Sequence, residues 1–444
     1  MDRTLASLAG WMPRQRWYTS ATRAPRLTML GSWELPSDES GVTIRTHLLL
    51  DESVSPAVTY QVPVVLRPFA PDRGHVIDHP EPDVVVIDGP HDPAYTRALL
   101  RLITADGDAR GDGASAAGHS SAPTPGMAAA SRVLTGEQSN TSIIYTPADG
   151  GQPVICKLYR QLHPGLNPDI ELQTALAAGG SPHTPTTFGW AEGTWTTRDG
   201  AWVTGSLAFA QEFVQDGEDA WRVALRAAHD GEDFTDSARA LGAAVAGVHA
   251  ALAAALPTSE PDDADREAAQ RVWERRLGIA VSEVPALAEH REAIEHVYRT
   301  AGGTTWPRLQ RIHGDLHLGQ VLHSRNRGWI VLDYEGEPMR PMRERMRPDI
   351  ALRDIAGMLR SFDYVAGSLE SDEPASDAER TQAWAASARA AFIEGYDDVA
   401  GRASRGPLLD AFELDKAVYE AIYEARNRPT WLAIPLRAIE RLLN

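Results

Sequence analysis

The chain has 444 residues, 43% of them hydrophobic and 23% charged, which is enough for two or three domains with sizeable cores. Its net charge of −18 argues against binding a nucleic-acid backbone or an anionic membrane surface, while leaving room for a local nucleotide site. A single cysteine, Cys156, excludes an internal disulfide framework or a Cys-rich zinc site and fits a reducing, cytoplasmic setting.

The N-terminal stretch MDRTLASLAGWMPRQRWYTS has no apolar run followed by a small-residue cleavage site, so no signal peptide is expected. No transmembrane helix is expected either, because no stretch approaches the roughly 20 apolar residues one needs. Between residues 40 and 68, VTIRTHLLL and VTYQVPVVL read as strands of a small sheet. Residues 105–127 are rich in Gly, Ala, Ser and Asp without a periodic face, and read as a flexible loop. The next segment, SRVLTGEQSNTSIIYTPADGGQPVICKLYRQL, reads as strand, polar turn, strand, turn, strand, ending on Lys157. LNPDIELQTAL then predicts a helix capped by Asn167, with Pro168 in its first turn and Asp169 and Glu171 near its positive end. After one more strand pair the chain becomes helical from about residue 213, with SARALGAAVAGVHAALAAAL presenting one apolar face.

The helical half holds HGDLHLGQVL (313–322) and VLDYEGEP (331–338). Two short apolar runs, QVLHS and WIVLDY, flank Arg325-Asn326-Arg327-Gly328, a hairpin signal. A hairpin brings the residues before its first strand close to those after its second, so Asp315, Gln320 and Asp333 are expected to converge. That pattern suits phosphoryl transfer: one aspartate at the attacking hydroxyl, the other with a neutral oxygen ligand on Mg²⁺. A transition-metal reading of HGDLH lacks further ligands nearby.

In the first half, the polar turn 136–142 offers Ser139, Asn140 and Thr141 to nucleotide phosphates, and Lys157 ends an apolar strand with Glu171 as its expected acidic partner. QEFV (211–214), with Gln211 and Phe213, falls at the join between halves, where adenine is held. Toward the C-terminus, YEAIYEARNRPTW puts Tyr419, Tyr423 and Asn427 at i, i+4 and i+8 on one helical face. With Glu424, Arg428 and Trp431 they make a sugar wall, aromatic faces covering C–H surfaces and polar groups fixing hydroxyls. His313 joins Asp315 on that substrate side.

Taken together, HGDxxxxQ, the following LDYEG and the strand lysine with a helix acid resemble the protein-kinase-like, aminoglycoside-phosphotransferase-like enzymes. RQRWY, SNTS, PGLNPDIE, PDIALRDIAGMLRSFDY and YEARNRPTWLAIPL extend the likeness to the bacterial maltokinases over nearly the whole chain. The resemblance implies an α+β, bilobal, eukaryotic-protein-kinase-like fold: an N-terminal cap region (1–100), a β-rich N-lobe (101–213) and a mostly helical C-lobe (214–444). It implies ATP and Mg²⁺ as cofactors, Asp315 as catalytic base, Gln320 and Asp333 as metal ligands, and Glu335 as a second acidic neighbour. Maltose would be phosphorylated at its anomeric hydroxyl, feeding α-glucan synthesis, by a monomer or homodimer with trehalose synthase as a possible separate partner. A kinase of glucosamine or an aminoglycoside on the same fold, or a non-catalytic partner of the synthase, are the alternatives.

Overall fold

The computed structural model describes residues 3–19, 23–70, 73–123, 128–136, 139–338, 340–372 and 378–443. The chain divides into two compact units, residues 1–174 with 185–215 and residues 175–184 with 216–444.

The first unit begins with α1 (Arg3–Trp11), followed by β1 (Leu27–Leu35), β2 (Thr43–Asp51), β3 (Val58–Arg67), β4 (Val76–Glu81), β5 (Val84–Asp88) and α2 (Pro93–Thr104). It continues through β6 (Asp108–Asp112), β7 (Ala114–Ser120), β8 (Ala128–Val133), β9 (Asn140–Pro147), β10 (Val154–Tyr159), β11 (Gln161–Leu162), α3 (Pro168–Ala178), β12 (Thr187–Thr196) and β13 (Trp202–Glu212). Among the described residues these strands form one antiparallel sheet in the order β4-β5-β3-β2-β1-β6-β7-β12-β13-β10-β9-β8, with β11 on β3. The expected boundary at residue 100 therefore falls inside α2, within a continuous sheet. Two apolar clusters lie on that sheet. One gathers Trp33, Leu48, Tyr95, Leu99, Ile143 and Phe209. The other gathers Leu8, Trp11, Trp17, Tyr18, Tyr60 and Val62. The run VTYQVPVVL is buried on both faces of β3, which is why it reads as continuous apolar sequence rather than as an alternation.

Of the segment 105–127, expected as a flexible loop, residues 108–112 and 114–120 are instead strands of the sheet. Ala114, Ala116 and Gly118 alternate inward along β7, which pairs with β12 from Ala114↔Trp195 to Ser120↔Gly189. Small residues are required because the strand lies directly on α2: a Cβ on Gly118 would sit 1.7 Å from the Leu102 carbonyl oxygen. What resembles a linker by composition is a strand chosen for size, and residues 124–127 lie outside the described residues.

The second unit contains β14 (Gly217–Asp219), α4 (Ala220–Asp230), α5 (Thr235–Ala255), α6 (Asp263–Glu283), α7 (Arg291–Gly302), β15 (Val321–Ser324) and β16 (Gly328–Val331). Four longer helices and a short one complete it: α8 (Met342–Arg345), α9 (Leu352–Asp372), α10 (Ala378–Ala400), α11 (Pro407–Asn427) and α12 (Ala433–Leu443). α5 is long and apolar enough to cross a membrane by length and composition, contrary to the expectation that no such segment exists. Its Leu241, Val245, Val248 and Leu252 are buried, and the helix packs along α10. α11 is buried along almost its whole length, with Leu414, Ala417, Val418 and Ala421 fully enclosed.

Candidate active site

The predicted hairpin is present. β15 and β16 pair from Val321↔Val331 to Ser324↔Gly328, leaving residues 325–327 in the turn. Gln320 enters it and Leu332 leaves it, and the Leu332 N–H donates to the Gln320 carbonyl at 2.9 Å. Asp333 comes next with φ +62°, a left-handed conformation uncommon outside glycine. Its carboxylate oxygen and that of Glu335 lie within 4.8 Å of one another.

The His-Gly-Asp turn is held from below by α9. Asp354, in the first turn of that helix, accepts from the backbone N–H groups of His313 and Gly314, each at 2.8 Å. It also takes the Nε2–H of His249 at 3.0 Å, whose other ring nitrogen meets the Tyr396 hydroxyl at 2.9 Å. The helix comes this close because residue 357 is glycine; a Cβ there would lie 2.4 Å from the Leu316 carbonyl oxygen. His313, expected on the substrate side, is buried and does not line the cavity onto which Asp315 opens. Its Nε2 donates to the Leu332 carbonyl at 2.8 Å, and Nδ1 accepts from the Asp315 N–H at 3.3 Å. It ties the two halves of the motif together.

That cavity has a volume of about 690 Å³. His317, Trp221, Glu337, Lys416, Tyr419, Glu420, Tyr423, Glu424, Arg428 and Trp431 share its lining with Asp315. So five of the six residues expected on the sugar wall face one space with Asp315. The sixth, Asn427, is exposed and outside the lining. It is the last residue of α11, and its side-chain amide donates to the Tyr423 carbonyl at 2.9 Å, satisfying one of the carbonyls a helix end leaves open.

Lys416 Nζ lies 3.3 Å from Asp315 Oδ1. Burial by itself would raise the Asp315 carboxyl, but Lys416, His317 and His313 together outweigh it and hold Asp315 below the usual carboxylate range, Lys416 contributing most. Burial would lower Lys416, yet the carboxylates of Asp315, Glu337 and Glu420 raise it further, so it stays protonated. Burial lowers His317 despite Asp315 nearby, which keeps its ring neutral at pH 7. The other carboxylates of the wall mostly have partners. Glu420 meets Arg360 at 2.8 Å, and Glu424 meets Arg428 at 2.6 Å and the Tyr364 hydroxyl at 2.9 Å. Asp219 caps α4 by accepting from the Trp221 N–H at 2.8 Å. Glu337 is the exception: it is buried, and its Oε1 has no hydrogen-bond partner among the described residues.

The expected nucleotide-binding residues lie in the first unit, where Ser139 is exposed and Asn140 half-buried at the start of β9. Thr141 is buried, and its hydroxyl accepts from Arg160 Nε at 2.8 Å, so it faces the interior instead of a phosphate. Lys157 Nζ reaches Asp169 Oδ2 at 2.8 Å, so Asp169 is an acid paired with it, where the sequence reading named Glu171. Asn167 caps α3 by accepting from the Asp169 N–H at 2.8 Å, and Gln173 holds the other Asp169 oxygen at 2.7 Å. Glu171, half-buried, lies about 200° further round the helix. Gln211 is buried on β13, and the Phe213 N–H is donated to the Pro153 carbonyl at 2.8 Å, so that amide is not open to a base.

Residues 131–408 match the profile of the phosphotransferase enzyme family, more than half of the chain. The chain belongs to that family. Residues 11–92 match the maltokinase N-terminal cap domain. Among characterised relatives of this phosphotransferase, a glucosamine kinase of Mycolicibacterium smegmatis is 31% identical over 332 residues, 70% of this chain and 79% of the relative. A glucosamine kinase of Streptacidiphilus jiangxiensis is 30% identical over 329 residues, 69% and 72% of the two chains. Solved glucosamine kinase structures share the fold. One in complex with glucosamine, ADP and inorganic phosphate covers 94% of each chain with a TM-score of 0.70 at 23% identity. Another crystal form covers 99% of each chain with a TM-score of 0.74 at 22% identity. The chain is thus a kinase of the phosphotransferase family, with an antiparallel-sheet N-lobe, a helical C-lobe and a maltokinase-type cap.

Sequence reasoning misses several residues that this phosphotransferase gathers at the cavity. Lys416 sits three residues before Tyr419 on the same face of α11, so extending the aromatic stripe one turn back would find it. Glu337, His317 and Trp221 carry no such local signal, because only the tertiary fold turns them toward Asp315.

Proposed function

We propose that the enzyme transfers the γ-phosphoryl group of ATP to the anomeric hydroxyl of maltose, giving maltose 1-phosphate for α-glucan synthesis. The observation that carries this reading is the charge balance of the cavity. Its wall offers aromatic faces from Tyr419, Tyr423 and Trp431, while Asp315, Glu420 and Glu424 are each matched by a cation. Such a wall suits a neutral sugar with many hydroxyls, and the Lys416 ammonium would repel an amino group. A volume of about 690 Å³ has room for a disaccharide, and the cap match points to the same substrate class.

In this reading the ionised Asp315 accepts the hydrogen bond of the attacking hydroxyl and takes its proton as the new O–P bond forms and the bond to ADP breaks. Lys416 keeps Asp315 ionised and adds positive charge beside the transferring group. Lys157, steadied by Asp169, contacts phosphate oxygens. Asp333, Glu335 and Gln320 offer hard oxygen donors that fit Mg²⁺, which when bound neutralises nucleotide phosphate charge. A second reading, phosphorylation of glucosamine, draws on the relatives and on Glu337, whose unpartnered oxygen could receive an ammonium.

The test is a sugar panel with Mg-ATP, following ADP release and locating the phosphate by ³¹P and ¹H NMR. Strong preference for maltose with phosphate on C1 supports the proposal. Turnover of glucosamine with maltose inert selects the second reading. Absence of turnover with every sugar counts against both.

A further inference from the structure

The start of α11 has no part in the site built on the rest of that helix. Gly406 stands at its N-cap position and offers no side chain to close the first turn, and Pro407, the first helical residue, has no N–H. The Asp410 N–H returns to the Gly406 carbonyl at 3.1 Å. That leaves the Leu408 and Leu409 amides as the first-turn donors that a helix cannot satisfy by itself. A cavity of about 320 Å³ opens onto this turn, walled by residues 304–307, Leu352 and residues 402–409. It shares no lining residue with the cavity of Asp315.

The chemistry of its wall is that of an anion site. Arg402 and Arg405 both line it, both are exposed, and neither makes an ion pair among the described residues. Ser404, between them, lines it as well and is only 7% exposed. Its N–H donates to Asp397 Oδ1 at 2.9 Å, while its hydroxyl has no hydrogen-bond partner among the described residues. A hydroxyl held out of water without a partner costs free energy, so its place beside two unpaired guanidinium groups and two open amides calls for an acceptor in the cavity. Among the described residues no carboxylate side chain lines this space, although the chain as a whole carries a net charge of −18. Asp410, the acid in the first turn of α11, lines a neighbouring cavity instead. A tetrahedral oxyanion accepts from all of these donors at once, and the positive end of the helix dipole adds to their charge. Trp306, Pro307 and Leu352 leave the far side apolar, with room for the small molecule that carries such a group.

We propose that this cavity binds a phosphoryl group, free or carried on a small sugar. Arg402 and Arg405 neutralise its charge, and the Ser404 hydroxyl and the Leu408 and Leu409 amides donate to its oxygens. The site stands where two helices of the catalytic centre begin: Leu352 opens α9, two residues before Asp354, and α11 carries Lys416. It does not depend on which sugar the enzyme phosphorylates.

The experiment follows ³¹P line widths of inorganic phosphate and of glucose 1-phosphate during titration with the full chain, at ionic strength matched with chloride. Wild type is compared with the double variant Arg402→Gln/Arg405→Gln, with Ser404→Ala, and with Lys157→Gln, which disables the nucleotide site. The double arginine variant should bind phosphate at least about tenfold more weakly and Ser404→Ala about threefold more weakly, while Lys157→Gln leaves the binding in place. Retained kcat in the arginine and serine variants is the control for folding, and Ser404→Ala keeps the test open if the double variant does not fold. Glucose 1-phosphate bound at least about tenfold tighter than inorganic phosphate supports the site with a phosphorylated sugar as its source; equal affinity supports it with free phosphate. Equal binding by wild type and the double arginine variant overturns the proposal, as does loss of all binding in Lys157→Gln. Unaltered binding in Ser404→Ala overturns it too, because exposed arginines alone would then account for the attraction.

Discussion

Replacing Lys416 with glutamine removes the cation that opposes the burial of Asp315. At 3.3 Å two unit charges attract by about 5 kcal/mol with an effective dielectric constant of ~20. The two side chains keep 29% and 19% of their exposure, and solvent screening reduces the effective coupling to about 1.5–3 kcal/mol. Losing that coupling raises the Asp315 carboxyl. Asp315 now titrates below the usual carboxylate range, so its base form is complete at neutral pH. Without Lys416, burial is opposed far less, the carboxyl rises, and the base form is lost earlier as pH falls. The acid limb of kcat/KM should move to higher pH, measured by coupled ADP release between about pH 4 and 8 with Mg-ATP and the preferred sugar. A drop in kcat on the pH-independent plateau of both profiles would report separately on charge stabilisation of the transferring group. Asp315→Asn sets the floor, expected to be about 10²- to 10⁴-fold below wild type. A folded Lys416→Gln enzyme whose acid limb stays in place would refute both the coupling and the placement of Asp315 as the base.

Two other perturbations test the surroundings. Trp431→Ala should raise KM for the sugar about tenfold, on the order of 1.4 kcal/mol, with kcat little changed and KM for ATP unaffected; an unaltered sugar KM would remove Trp431 from the wall. Asp363 is buried among Arg360, Arg389 at 3.2 Å and Arg441 at 2.9 Å. Burial would raise its carboxyl, but the three guanidinium groups lower it overall, so its contribution to stability is complete above about pH 4 and is lost as pH falls through the lower folded-state value. Asp363→Asn should therefore cost about 3–5 kcal/mol at neutral pH and clearly less at about pH 2.5, read by denaturant unfolding. An equal loss at both pH values would show that the charge of Asp363 is not what stabilises the fold.

The parts of the site readable from sequence are those set by chain-local geometry. A short polar turn between two apolar runs makes a hairpin wherever it sits, so Gln320 and Asp333 can be brought together from spacing alone. A helix has a fixed period, so Tyr419 and Tyr423 have to share a face. The reading fails where the deciding partner is remote. That Asp169 meets Lys157 depends on the rotation of α3 beneath β10, which Asn167 and Gln173 fix through the first turn. Thr141 shows only a small polar residue in a turn; Arg160, 19 residues on, turns it inward. His313 is expected beside substrate because its neighbour Asp315 is, yet the Leu332 carbonyl across the hairpin takes its ring nitrogen. For residues 105–127 the composition misleads, because close packing against α2 selects the same small residues that mobility does.

The charge arrangement behind the cavity explains how a wall so rich in acids can read a neutral ligand. Glu420 is tied to Arg360, Arg360 to Asp363, and Asp363 to Arg389 and Arg441, both of which also meet Glu413. The chain of pairs runs through α9, α10, α11 and α12, so one ladder of opposite charges joins four helices. Neutralised carboxylates held in this way act as fixed hydrogen-bond acceptors with little net field, and a rigid acceptor discriminates by the position of a hydroxyl. Glu337 stands outside the ladder. Whether its oxygen receives a hydroxyl or an ammonium is the one point in the wall where the charge of the sugar is still open to choice, and it lies in the same lining as Lys416 and Asp315. A substitution there, more than one in the aromatic stripe, is where preference between a neutral and an amino sugar should turn.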